Sequence, residues 1–165
     1  MTDTTLSRDA LNPASPPQHK LSSLRLSRHL PHAPEKVFAA LSSKAAMQVW
    51  ACPAPGLQIT VEPFDFRPGG LARTTMSFGE GDPYINEDHY QEIIPGQRII
   101  QTNTLRCGDE LHFAGVVVML LTPEAGGTRL DLDEHGCFPD GRHQPEDNEA
   151  GWGQMLDRLA AFLEG

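Results

Sequence analysis

The most constraining feature of this sequence is a single apolar stripe near its C-terminal end. Apolar side chains there recur at alternating intervals of three and four residues, which is the spacing of one face of an α-helix. The stripe consists of Trp152, Met155, Leu156, Leu159, Phe162 and Leu163. It predicts a helix of about five turns, and the apolar face of that helix must be buried against another element.

The rest of the chain is a series of apolar segments separated by turns rich in Gly, Pro and Asp. A first strand is predicted from about residue 21 to Pro31, followed by two short helices at 33–41 and 44–50. Further strands are predicted at 59–66, 71–78, 84–94, 98–105, 111–121 and 128–138. Short connections favour antiparallel pairing of neighbouring strands. The predicted fold class is α+β, a curved antiparallel sheet of about six or seven strands around the long C-terminal helix.

Composition limits the partners and the compartment. The chain has 165 residues, enough for one domain with a hydrophobic core. Its net charge of -9 argues against nucleic acid and anionic membrane surfaces as partners. The longest apolar run, 116–121, is too short to cross a bilayer. Three widely spaced cysteines indicate reduced thiols, and with no visible secretory signal a cytoplasmic location is expected.

The chain divides into two regions. Residues 1–20 are rich in Thr, Ser, Pro and Asn and lack periodicity, so a disordered N-terminal arm is expected. Residues 21–165 are expected to form the folded domain. No phosphate-binding Gly-rich loop, H-E-x-x-H, G-x-S-x-G or paired C-x-x-C motif occurs. No cofactor is therefore expected. No metal is expected either, because His135 and Cys137 share a strand face but no third metal ligand can be identified.

Several short motifs, taken in order, resemble a known family. They are Ala33-Pro34 with Val37-Phe38, Trp50 before Pro53, Arg67-Pro68-Gly69-Gly70, Pro95-Gly96-Gln97-Arg98, Gly127-Thr128-Arg129-Leu130 and Gly151-Trp152. The chain resembles the START-like SRPBCC superfamily, and within it the homologues of the activator of the 90-kDa heat-shock protein ATPase, over about residues 21–165 and as the C-terminal-type domain alone. Asp88 departs from the pattern, because a glycine often stands there.

The resemblance implies a helix-grip fold with an internal cavity that holds apolar or amphipathic small molecules. The family name also implies chaperone regulation and a role in the stress response. Strand parity and the helix stripe predict which side chains face the cavity. The predicted lining is Trp50, Phe64, Phe66, Met76, Phe78, His89, Phe113, Val117, Met119, Glu134, Trp152, Met155 and Leu159. Ordinary core packing is the alternative for each of them.

Two of these residues carry chemistry. Glu134 shares a strand face with Leu130 and Leu132, and a carboxyl group in an apolar cavity should have a raised pKa and serve as a general acid or a hydrogen-bonding anchor. His89 shares the parity of Ile93 and is expected to point inward as a second polar group. A purely structural role is the alternative for both residues.

Three functions are compatible with these features. The first is a non-enzymatic binding module for an apolar or amphipathic small molecule. The second is a cavity enzyme, such as a cyclase, dehydratase or hydrolase, that uses Glu134 and His89 and requires both side chains to reach one open space. The third is an interaction module acting on a chaperone. On the convex face, Val116, Val118 and Leu120 indicate either a homodimer contact or an ordinary apolar strand surface.

Overall fold

A computed structural model describes residues 15–52 and 54–165. Most of the expected N-terminal arm, residues 1–14, lies outside the described residues. The first strand begins at His19 and not at residue 21, because His19 and Lys20 pair with Pro139 and Phe138 of the last strand. The backbone N–H of Gln18 also donates to the Asp140 carboxylate at 2.8 Å, so the folded domain extends into the predicted arm.

Within the part of the chain that the structure describes, ten helices and strands follow one another in the predicted order. They are β1 His19–Leu30, α1 Pro34–Leu41, α2 Lys44–Trp50, β2 Gln58–Phe64, β3 Leu71–Ser77, β4 Tyr84–Ile94, β5 Arg98–Cys107, β6 Glu110–Glu124, β7 Gly127–Pro139 and α3 Pro145–Glu164. The strands form one seven-stranded antiparallel sheet in the order β1-β7-β6-β5-β4-β3-β2. The predicted fold class is confirmed, a curved antiparallel sheet around the C-terminal helix.

The apolar stripe of α3 is buried as predicted. Trp152, Leu156, Leu159 and Leu163 are its buried residues, and the helix packs against β1 and the two short helices. Phe162 is 38% exposed and lies at the edge of the stripe. Pro145 begins the helix at a position where a missing N–H has no intrahelical partner. No helix in the described ranges is long and apolar enough to cross a membrane.

Bulges bend the sheet and shift the parity of its strands. The register shifts between Tyr90 and Glu92 where β4 pairs with β5, and between Leu105 and Arg106 where β5 pairs with β6. A bulge adds one residue to one strand, so the side chains on its two sides no longer follow a single alternation. In β4, Asp88 and Tyr90 are consequently buried.

The predicted inward orientation of His89 is wrong for this reason. His89 is exposed, whereas Ile93, from which its orientation was extrapolated, packs against the core on the far side of the bulge.

The convex face of the sheet carries Val116 and Leu120, each 40% exposed. A homodimer contact at Val116, Val118 and Leu120 stays a prediction.

Candidate functional site

A cavity of about 320 Å³ lies between the concave face of the sheet and the helices α2 and α3. The predicted residues that line it are Trp50, Phe66, Met76, Phe78, Phe113, Met119, Glu134, Trp152 and Met155. Most of this lining is aromatic or aliphatic, with a few polar groups, which is the usual composition of a small-molecule site. Phe78, one of these lining residues, is 60% exposed.

Four predicted residues do not line the cavity. Val117 and Leu159 have no exposed surface and are plain core residues. Phe64 lies behind Phe66, with ring centroids 6.1 Å apart and nearly parallel planes, so it supports the lining without forming it. His89 faces outward from β4. For Val117 and Leu159 the alternative role, ordinary core packing, therefore holds.

One face of α3 supplies the helical wall of the cavity. Its lining residues are Asp147, Asn148, Gly151, Trp152 and Met155, which recur at the intervals that place side chains on one helix face. A Cβ atom added to Gly151 would meet no other atom within 4 Å, so the wall is open at its centre. In α2, Trp50 Nε1 donates to the Ala40 carbonyl oxygen at 3.0 Å, which fixes the orientation of its ring.

A buried polar cluster interrupts the apolar lining on the sheet side. We define the Asp88 cluster as Thr74 of β3, Asn86 and Asp88 of β4, and Gln101 and Asn103 of β5, all of which line the cavity. Asp88 Oδ1 accepts hydrogen bonds from Gln101 at 2.7 Å and Asn103 at 2.6 Å, and Oδ2 accepts one from Asn86 at 3.0 Å. The cluster is a carboxylate held by amide donors on the same strand and on its neighbour.

Burial controls the ionisation of Asp88. Removal of the carboxyl group from water raises its pKa from the ordinary 3.8 to about 6, although the three amide donors and nearby His89 act in the opposite direction. The same burial, together with the charge of Asp88, raises the pKa of the Tyr90 hydroxyl. At neutral pH the cluster therefore holds a negative charge inside the protein.

Thr74 is the part of the cluster without a partner. Its side chain is 3% exposed, and within the described residues its Oγ1 is buried with no hydrogen bond. His112 Nδ1 is the other such atom, but His112 does not belong to the lining. Buried polar atoms are nearly always paired with protein or water, so the Thr74 hydroxyl is the polar atom of this wall that is free to bond to a molecule in the cavity.

Glu134 faces the cavity, as strand parity predicts. Trp152 Nε1 donates to its Oε2 at 2.7 Å and Asn148 Nδ2 donates to its Oε1 at 2.8 Å. Burial raises the pKa of Glu134, and these two hydrogen bonds partly oppose that effect. Because both donors belong to α3, the carboxylate joins β7 to the helix across one end of the cavity.

The lining has a marked charge asymmetry. Its described residues include three carboxylates, those of Asp88, Glu134 and Asp147, and one histidine, His143, but no Lys or Arg. His143 Nε2 lies 2.5 Å from Asn148 Oδ1 and its Nδ1 lies 3.8 Å from the Asp147 carboxylate. Among the described residues no group of three or more His, Cys, Asp or Glu is placed to hold a metal ion.

Sequence reasoning missed the Asp88 cluster. Asp88 was noted only because it departs from the pattern of the resembled family. The available signal was the pair of polar residues two apart on adjacent strands, Asn86 with Asp88 and Gln101 with Asn103, because residues two apart in a strand share a face. The bulge after Tyr90 obscured which of the two faces was the inner one.

The chain is similar to several bacterial proteins of known structure. A protein from Rhizobium leguminosarum matches with a TM-score of 0.82 and 29% identity, over 91% of this chain and 99% of that chain. A protein from Rhizobium loti matches with a TM-score of 0.79 and 32% identity, over 88% of this chain and 99% of that chain. One from Chromobacterium violaceum has a TM-score of 0.75 and 32% identity, over 87% of this chain and 97% of that chain.

No protein with a curated functional description matches the chain. The sequence profile described as "Activator of Hsp90 ATPase homolog 1-like protein" matches residues 31–164. This match extends from the loop before α1 to the last residue of α3 and includes every element that forms the cavity. The chain therefore belongs to the family of activator of Hsp90 ATPase homolog 1-like proteins, within the START-like SRPBCC superfamily.

Proposed function

We propose that this protein is a non-enzymatic binding module that holds an apolar or amphipathic small molecule between its sheet and α3. The observation that carries the proposal is the cavity of about 320 Å³ with an apolar lining and a few inward polar groups. Its volume lies at the lower end of the range for small-molecule sites. The unpaired Thr74 hydroxyl supports the same conclusion, because a bound molecule would supply its missing partner.

The enzyme alternative has no support from the pair of residues that it needs. It required Glu134 and His89 to reach one open space, and His89 is exposed on the outer face of the sheet. Glu134 lines the cavity, but its two oxygens each accept a hydrogen bond from α3. The side chain therefore has an evident role in holding the helix against the sheet.

Intrinsic fluorescence provides a direct test of binding. The chain has two tryptophans, Trp50 and Trp152, and both line the cavity. Neutral apolar ligands, such as steroids, polyketides and fatty alcohols, should therefore change the tryptophan emission and raise the midpoint of thermal unfolding. The rise in the unfolding midpoint follows from mass action, because such ligands bind the folded state only.

Two glycines of α3 provide matched variants for this test. Gly151→Leu places a side chain in the open centre of the cavity wall and should abolish binding. Gly153→Leu makes the same change on a face outside the lining, where an added Cβ lies 3.8 Å from Arg28 Nη2, and should retain binding. Equal binding by both variants would show that the ligand occupies a different place. No binding by the unmodified protein across the panel would remove the proposal.

The family match supports a second proposal, an interaction module that acts on a chaperone. The family description names an activator of the Hsp90 ATPase, and in this case binding would use the outer surface of the domain. The measurement is the rate of ATP hydrolysis by Hsp90 with and without saturating protein. An unchanged rate would eliminate this function, whereas the Gly151→Leu variant should accelerate hydrolysis as well as the unmodified protein does.

A further inference from the structure

We propose that the cavity selects amphiphiles that carry an amine, with the ammonium group held against the Asp88 cluster and the apolar part among the aromatic side chains. This inference rests on the proposed binding function and specifies the chemical class of its ligand. It begins from Asp88, one of two deeply buried carboxylates in the lining; Asp88 is 3% exposed and Glu134 is 2% exposed.

The charges of the cavity disfavour an anionic ligand. A carboxylate or phosphate group entering it would lose its hydration and would find no Lys or Arg among the described lining residues. It would instead face Asp88, and the side-chain N–H groups of Asn86, Gln101 and Asn103 already donate to Asp88. A fatty acid therefore has no counter-charge in this cluster, where the amides of Asn86 and Gln101 each already give one N–H to Asp88.

The cluster has free acceptor capacity that suits an ammonium group. An ionised carboxylate offers about four lone-pair positions, and Asp88 uses two on Oδ1 but only one on Oδ2. Thr74 contributes a second acceptor, the unpaired Oγ1, on the strand next to Asp88. A primary ammonium carries three N–H donors and no acceptor, so it can satisfy both oxygens and also neutralise the buried charge.

The aromatic lining favours the same class. Phe66 and Tyr90 both line the cavity, and their ring centroids are 4.8 Å apart in an edge-to-face arrangement. Because Tyr90 lies two residues from Asp88 on the same strand face, an aromatic ring lies beside the carboxylate. A desolvated cation gains further stabilisation against such ring faces, whereas an anion is repelled by them.

Glu134 is a less suitable anchor than Asp88. Its carboxylate is held by Trp152 and Asn148, which belong to α3, so its charge contributes to the attachment of that helix to β7. The hydrogen bonds to Asp88 all come from the sheet itself, from β4 and β5. Removal of the Asp88 charge therefore leaves the helix contacts in place, which makes the substitution Asp88→Asn an informative one.

A matched ligand series tests the class. 4-Phenylbutylamine, 4-phenylbutanol and 4-phenylbutyrate share one apolar body and differ in the terminal group, so their affinities at pH 7.5 by calorimetry and tryptophan fluorescence isolate the effect of charge. We expect the amine to bind at least tenfold more tightly than the carboxylate, with the alcohol between them. In Asp88→Asn the ratio of amine to alcohol affinity should fall about tenfold.

Thr74→Val provides a second variant if Asp88→Asn does not fold. It removes only the free acceptor and should weaken amine binding severalfold. Equal affinities for the three ligands, or an amine preference unchanged in both variants, would overturn the amine inference and leave the binding function standing. No binding of any of the three ligands, together with no binding across the neutral panel, would overturn both.

Discussion

The buried charge of Asp88 should make the protein less stable as the pH rises through the acidic range. The unfolded chain exposes this carboxyl group to water, where its pKa is the ordinary 3.8, whereas in the folded protein burial raises the pKa to about 6. The folded state therefore holds the proton more tightly than the unfolded state. A stabilising contribution is present below about pH 4 and is lost as the pH rises through about 6.

The size of this effect follows from the two pKa values. They differ by about 2, and each pKa unit corresponds to about 1.4 kcal/mol. Because the carboxyl group of the unfolded chain is already about half ionised at pH 4, the free energy of unfolding should lose about 2 kcal/mol between pH 4 and pH 7.5 from this group alone. Other groups also titrate in this interval, among them Glu134, whose pKa burial raises. The quantity to compare is therefore the difference between the unmodified protein and Asp88→Asn.

The assay is urea-induced unfolding of both proteins at a series of pH values between 4 and 7.5. Asn cannot ionise, so the stability of the unmodified protein relative to Asp88→Asn should fall by about 2 kcal/mol across the series. The acceptor lost in the Asn side chain adds an offset that does not depend on pH. The raised pKa of Tyr90 keeps that neighbouring group neutral throughout the series.

Asp109→Asn is the matched control, because Asp109 is exposed in the turn between β5 and β6. The stability of the unmodified protein relative to Asp109→Asn should show no comparable fall between pH 4 and pH 7.5. A flat difference for Asp88→Asn would show that the three amide donors compensate fully for burial. A difference of the opposite sign would show that they overcompensate, and either result would refute the physical account of the cluster.

Further predictions concern the lining and the helix. Thr74→Val should raise the free energy of unfolding by about 1 kcal/mol without ligand, because it removes a buried hydroxyl that has no partner. A lower free energy of unfolding for this variant, measured by urea unfolding, would mean that the hydroxyl is paired. Glu134→Ala should lower it by about 3 kcal/mol, because the N–H donors of Trp152 and Asn148 lose their acceptor. Glu134→Gln, which keeps one acceptor oxygen, should cost less in the same assay, and equal costs would contradict the hydrogen-bond explanation. Gly151→Ala should raise the midpoint of thermal unfolding, since Ala is favoured over Gly by about 1 kcal/mol inside a helix and the added Cβ meets open space.

The order of elements could be predicted from the sequence because each signal is local. Turn residues such as Pro95-Gly96 end one strand before the next begins, and β4 has the predicted bounds, Tyr84–Ile94. The inward direction of Glu134 was also predictable, because β7 pairs with β6 in unbroken register from Gly127 to Cys137 and simple alternation holds there. Where the register is regular, two-residue periodicity is a sufficient guide.

Tertiary structure decided the identity of the polar part of the site. The bulge after Tyr90 reverses the alternation in β4, so Asp88 faces the cavity and His89 faces outward. A bulge depends on how two strands pair, and the sequence of one strand does not show it. The separation of lining from core residues also required the structure, because Met119 and Val117 share one face of β6 but only Met119 reaches the cavity.

The sequence by itself determined that an amphipathic helix would cover an antiparallel sheet, because periodicity and turn chemistry are properties of neighbouring residues. Only the tertiary structure decided that a cavity remains between the helix and the sheet. It also decided that the Asp88 carboxylate lines the sheet side of this cavity, on the strand next to the unpaired hydroxyl of Thr74. That arrangement brings together β3, β4 and β5, whose contributing residues extend from Thr74 to Asn103 along the chain. Its electrostatics depend on burial, which is a property of the assembled domain and not of any single segment.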